Sequence, residues 1–156
     1  TLHTNDAPSA ITRLIDMGVK PFLVASSIQA IMAQRLVRII CKKCKAVNEN
    51  PDKRLLESLG ITQEDLEKKP VYKGKGCSQC QNTGYKGRIA IFEMVELNNE
   101  IRELAFTKAP TTELRKAAKA SGMRTLMQDG VIKIFRGVTT PEEVVRITQT
   151  EGSSVD

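Results

Sequence analysis

Apolar and polar positions alternate along the chain with two different periods, and the switches between them divide it into elements. Ile11, Leu14 and Ile15 recur at the spacing of one helical face, after Asn5 or Asp6 as cap and Pro8 in an early position. With Gly18 as a stop, this predicts a helix over 7–17. After Pro21, Leu23, Ala30, Ile31 and Leu36 predict a largely buried helix to about Ala33. β-Branched Val37, Ile39 and Ile40 then predict an extended stretch that delivers Cys41. DKRLLESLG predicts a short amphipathic helix closed by Gly60, and Thr62 with Asp65 forms a capping-box pattern for another turn. In RIAIFEMVEL, Ile89 and Ile91 alternate with more polar neighbours, which predicts a strand whose later residues are less regular. Three helices follow: from Asn98 or Asn99 to about Phe106, from Thr111 to about Ser121, and from near Thr125 to Phe135. A fourth starts at Thr140, where a Thr cap, a Pro and two acids satisfy the local start signals, and EGSSVD is a frayed tail.

Composition narrows the class. With 156 residues, 40% hydrophobic and 27% charged, the chain is long enough for one ordinary domain or two small ones and is neither disordered nor membrane-like. Aromatics at 4% and the absence of Trp argue against broad aromatic platforms for sugars or bases. The net charge of +6 points to acidic partners, although a tetrathiolate zinc centre reduces it to about +4, modest for a nucleic-acid binder. No apolar run approaches the ~18 residues of a membrane span and no signal peptide is visible, so the chain reads as cytosolic. It opens on Thr rather than Met, which suggests a piece of something larger.

All four cysteines fall in two CxxC pairs, Cys41 with Cys44 and Cys77 with Cys80, with 32 residues between the pairs. Two such turns close a tetrathiolate zinc site, and the bridge, longer than the roughly 15–20 residues of common zinc ribbons, requires a folded insert. Lys42, Lys43, Lys45 and Lys75 flank the pairs, where positive charge favours thiolates. Redox dithiols or simply buried thiols are the alternative. Four protein ligands leave no open coordination position, so the site reads as structural rather than catalytic.

His3 is the single histidine, so no triad is possible, and on composition alone it is a loop residue with local hydrogen bonds. Phosphate near residues 3–7, at a helix N-terminus, is physically reasonable. AQRLVR places Arg35 and Arg38 three apart beside Gln34, close together on the expected helical surface and able to meet a phosphate or carboxylate. The later basic residues, without interleaved aromatics, read as solvated faces or subunit contacts. No Walker A sequence, Gly-rich phosphate cradle or GxSxG occurs, and no independent reaction can be written. Gly84 and Gly87 let the chain bend at the strand entry.

Four strings taken together, TLHTND, AQRLVR before the first CxxC, CSQCQNTGYKGRIAIFE, and SGMRTLMQDGVIKIFRGVTTPEEVVRIT, resemble the secretion ATPases of type II secretion and type IV pilus assembly, from residue 1 to about 149. The resemblance implies an α/β fold: the C-terminal fragment of a RecA-like P-loop ATPase domain with an inserted tetracysteine zinc module and a C-terminal helical bundle. Residues 1–40 would end the RecA-like core, 41–86 form the zinc module with its helical insert, 87–97 the returning strand, 98–149 the bundle and 150–156 a disordered tail. It further implies that His3 is the His-box histidine that senses the terminal phosphate, with Thr1 and Thr4 holding its loop. Cys41, Cys44, Cys77 and Cys80 would be the zinc ligands, and Gln34 and Arg35 nucleotide-adjacent candidates. ATP with Mg²⁺ would be used by the intact parent, a homo-hexameric ATPase working on an inner-membrane platform protein from the cytoplasmic face of the membrane, with no nucleic acid expected. The cysteine module favours the assembly and secretion branch over the retraction motors. The segments that would carry Walker A and Walker B are not among these residues, so this piece is expected to be inactive alone. The competing reading is a freestanding zinc-ribbon adaptor or nucleic-acid module, which CSQCQNTGYKG also resembles through the zinc turns of J-domain chaperones.

Overall fold

A computed structural model describes Leu2 and residues 4–149. The expectations on Thr1, His3 and the EGSSVD tail lie outside the described residues. The order of elements is α1 (Ala7–Asp16), α2 (Pro21–Ser27), β1 (Ala30–Ile40), β2 (Lys45–Val47), α3 (Lys53–Ser58), α4 (Gln63–Lys68), β3 (Tyr72–Gly74), β4 (Tyr85–Glu96), α5 (Asn99–Phe106), α6 (Thr111–Ala120), α7 (Leu126–Phe135) and α8 (Pro141–Gln149). The fold is thus mixed α/β, with β1 paired to β4 and β2 to β3. None of the helices among the described residues is long and apolar enough to cross a membrane.

Two compact units divide the chain. Residues 1–34 and 92–126 make the first, residues 35–91 and 127–156 the second. The first unit is cored by Ile11 of α1, Val24 of α2, Val95 and Leu97, Ile101 and Ala105 of α5, and Leu114, Ala117 and Ala118 of α6. Two of its helices, α1 and α5, start where side-chain acceptors meet orphan N–H groups: Asp6 accepts from Ser9 N at 2.8 Å and Asn98 accepts from Ile101 N at 2.9 Å. In the second unit Leu56, Leu59, Ile61 and Val71 pack with Ile134, Val144 and Val145.

The segment after Pro21 corrects the sequence reading. The helix there stops at Ser27, and β1 begins at Ala30 rather than beyond Ala33. From Ala30 onward the chain shows a period of two, with Ala33 and Val37 buried while Met32, Gln34 and Leu36 point outward. Leu23, Ala30 and Leu36 are exposed rather than core residues. The cause is the ladder: Leu97 N donates to Gln29 O at 2.9 Å at one end of the β1–β4 pair and Cys41 N to Gly84 O at 2.9 Å at the other, and these long-range bonds override local helix preference. In β4 the alternation is cleanest in its later half, where Ile91, Glu93 and Val95 are buried in turn, and Leu97 just beyond the strand continues the row.

Candidate metal centre

The second unit brings the four cysteines together from two turns. Cys41 directly follows β1, and Cys44 N donates to Cys41 O at 3.2 Å across the first turn. The second turn wraps a short 3₁₀ segment, Ser78–Cys80, with Cys80 N on Cys77 O at 3.2 Å and Asn82 N on the same carbonyl at 2.9 Å. Gln81 and Asn82 close it in left-handed conformation, with φ of 51° and 60°. Lys75 N donates to Cys44 O at 2.9 Å and ties the second turn's entry to the first.

All four Sγ atoms lie within 4.8 Å of one another. Cys41 to Cys77 and Cys44 to Cys80 are each 3.8 Å, and Cys77 to Cys80 is 3.7 Å. A tetrahedron with Zn–S bonds of ~2.3 Å has edges of about 3.8 Å, so the sulfur cage already has the dimensions of a Zn(Cys)₄ site. The same separations are far from the ~2.05 Å of a disulfide, and all four thiols are free. The donor set fits zinc: Cys41, Cys44, Cys77 and Cys80 would hold it in a closed shell that staples the two turns, with no position for substrate water.

Burial, helped by hydrogen bonds from the other thiols, pushes the Cys44 thiol up to about 11 against a donation from Gly76 N–H. Burial also raises Cys80, but the N–H groups of Cys77 and Gly84, with smaller help from the Cys77 and Cys44 thiols, hold it down to about 6. The largest lowering influences are therefore backbone donors rather than the flanking lysines that the sequence pointed to. One of those lysines, Lys45, lies 4.2 Å over the Tyr72 ring. Since zinc needs four thiolates, loading releases protons and weakens in acid.

The cage depends on a close backbone approach. A Cβ on Gly84, whose φ is +78°, would stand 2.7 Å from Gly74 O, and one on Gly74 would overlap the Gly84 backbone. Gly74→Ala is accordingly expected to cost about 1–3 kcal/mol by overpacking against backbone that cannot yield. Chemical denaturation of the zinc-loaded chain checks this, and an unchanged midpoint would show that the two strands are not held this tightly.

The sequence missed a second cluster in the same unit. Glu143, 1% exposed, accepts from Arg38 N at 3.0 Å, from Arg38 Nη2 at 2.6 Å, and from Arg146 Nε and Nη2 at 3.0 Å each. Arg38 also stacks 4.2 Å over the Tyr85 ring, whose hydroxyl lies 2.8 Å from that of Thr140. Burial raises the Glu143 carboxyl, but hydrogen bonds from Arg38 and Arg146 outweigh it and hold it down to about 2. Glu143 gave no signal, because an acid in the first turn of a helix reads as a dipole partner.

The expected helical surface of Gln34, Arg35 and Arg38 does not exist, because all three lie on β1. Strand alternation sends Gln34 and Arg35 to opposite faces, Gln34 exposed and Arg35 half-buried, so the two cannot grip one anion together.

The family model described as Type II/IV secretion system protein matches residues 1–146. The chain is 45% identical over 148 residues to the type IV pilus assembly ATPase PilB of Thermus thermophilus, covering 95% of this chain and 16% of that protein. It is 41% identical over 145 residues to PilB of Myxococcus xanthus, covering 93% and 26%. Against type II secretion system protein E of Pseudomonas aeruginosa the identity is 40% over 151 residues, covering 97% and 29%. The chain thus spans between about a sixth and under a third of the length of these relatives.

Proposed function

This chain belongs to the type II/IV secretion system protein family, and from that membership we propose that it is the zinc-bearing C-terminal portion of an ATPase motor that powers type IV pilus assembly or type II secretion. The near end-to-end similarity to pilus assembly ATPases carries the reading. In it, residues 1–40 end a RecA-like core, 41–86 are the zinc module, 87–97 the returning strand and 98–149 a helical bundle. The parent is a homo-hexamer that hydrolyses ATP with Mg²⁺ and pushes on a membrane platform protein from the cytoplasmic side.

Roles divide by chemistry. The four cysteines hold structural zinc and keep the insert folded, while His3, four residues ahead of α1 in the chain, meets the terminal phosphate of ATP. Gln34 or Arg35, on opposite faces of β1, borders the nucleotide or the next subunit, but not both residues at one place. A P-loop supplies the phosphate cradle, the phosphate-binding Lys and the Mg²⁺ anchor, and no such motif lies in these 156 residues. The parent is therefore expected to hydrolyse ATP in a steady-state phosphate-release assay while the 156-residue chain alone does not. Turnover by the chain alone, or none by the assembled parent, contradicts the proposal. Gel-shift binding to nucleic acid with a steep salt dependence would turn the reading toward a zinc-ribbon nucleic-acid module.

A further inference from the structure

Glu93 is a buried carboxylate that the zinc centre does not use. On β4 it occupies the inward row otherwise filled by Ile91, Val95 and Leu97, and is 4% exposed. An apolar side chain would fill that row without the cost of burying a carboxylate, and burial does push the Glu93 carboxyl above its ordinary range. What the carboxylate adds is two acceptors. Oε1 accepts from Ala7 N at 2.8 Å and Oε2 from Leu126 N at 3.3 Å. Ala7 opens α1 and Leu126 opens α7, so one side chain satisfies orphan donors at two helix N-termini and places its charge where both dipoles favour it.

The start of α1 is held from two further sides. Asp6 accepts from Ser9 N at 2.8 Å and, at its other oxygen, from Arg115 Nε at 2.9 Å and from Arg115 Nη2. One turn on, the Thr12 hydroxyl lies 3.0 Å from that of Thr111. The residues immediately before this fixed point are TLHTN.

We propose that Glu93 is a positioning residue: by fixing the first turn of α1 at Ala7 it holds the point from which the preceding residues, His3 among them, meet the nucleotide phosphate. This rests on the reading of His3 given above. Glu93 touches neither nucleotide nor metal. Its effect runs through the backbone of Ala7, and a small displacement there is enough to slow chemistry, since misplacement by ~1 Å can cost about a hundredfold.

The test is a double-mutant cycle on ATP hydrolysis by the intact parent. Glu93→Gln keeps the shape but replaces one acceptor by a donor. It is expected to lower kcat roughly tenfold or more while KM for ATP stays within about twofold. In the His3→Ala background the same substitution is expected to add less than about threefold, because the path it acts through is already cut. Arg115→Gln, which frees Asp6 without altering the buried carboxylate, is expected to act in the same direction but more weakly. It also supplies the readout should Glu93→Gln fail to assemble. If His3→Ala collapses turnover and Glu93→Gln still multiplies the loss, positioning is overturned and the His3 reading stands. If His3→Ala turns over at the wild-type rate, the His3 reading falls and takes this inference with it. A folded Glu93→Gln protein with unchanged kcat, or an unchanged Arg115→Gln where Glu93→Gln cannot be read, also overturns positioning.

Discussion

Cys77→Ser is expected to lower bound zinc from about one per chain to a small fraction of that and to destabilise the fold by at least ~3 kcal/mol. Cys77 lies 3.8 Å from the Cys41 sulfur and 3.7 Å from that of Cys80, so its loss opens the cage on two edges. The insert between the pairs cannot make this up locally. Its β2–β3 ladder has only three residue pairs, from Lys45 with Gly74 to Val47 with Tyr72, and α3 and α4 are six residues each, too short to hold alone. Free energies of structural zinc in small peptides reach ~10–16 kcal/mol, of which only part is lost here because Leu56, Leu59, Ile61 and Val71 keep a core of their own with α7 and α8. Metal analysis and chelator-dependent melting check this. A variant that melts like the wild type while binding no zinc would show that the four thiols are not a structural metal site.

Glu143→Ala is the second large effect, about 3 kcal/mol, equivalent to a melting point lower by roughly 6–12 °C. The variant deletes the shared acceptor of two guanidinium groups and leaves the Arg38 N–H without its partner. Half the surface of Arg38 and Arg146 is exposed, so water takes back part of the loss. The pH dependence identifies the cause. Glu143 titrates at about 2 in the folded chain against 4.5 for an ordinary glutamate. Its stabilisation is therefore complete above the ordinary value and is lost as pH falls toward about 2. The gap in stability between wild type and Glu143→Ala, followed by denaturant melts, should be full at neutral pH and narrow through that acid range. A gap that does not change with pH would mean that packing rather than charge holds the cluster.

The clustering of the four cysteines was legible in the sequence because its signal is local: CxxC keeps two sulfurs within one turn of each other. Helix ends were legible for a similar reason, since Asp6, Asn98 and the Thr62–Asp65 box act on N–H groups within three residues. The stretch from Ile28 to Leu36 was not. Its helix-favouring residues are overruled by a ladder to β4, more than fifty residues away in the chain, and the extended signal of the β-branched Val37, Ile39 and Ile40 begins only beyond it. Glu143 and Glu93 were missed because a charged residue gives no core signal. For Glu93 a usable clue exists, an acid in step with Ile91, Val95 and Leu97 in a period-two row. For Glu143 none does, because Arg38, which donates to it from both backbone and side chain, comes from the distant strand β1.

Labour is divided in this protein, with metal holding the fold and His3 serving the nucleotide. Steady-state ATP hydrolysis by the intact parent carrying His3→Ala, with zinc content and melting unchanged from wild type, tests it most directly. Turnover is expected to fall by about a hundredfold or more. Hydrolysis at the wild-type rate would contradict it.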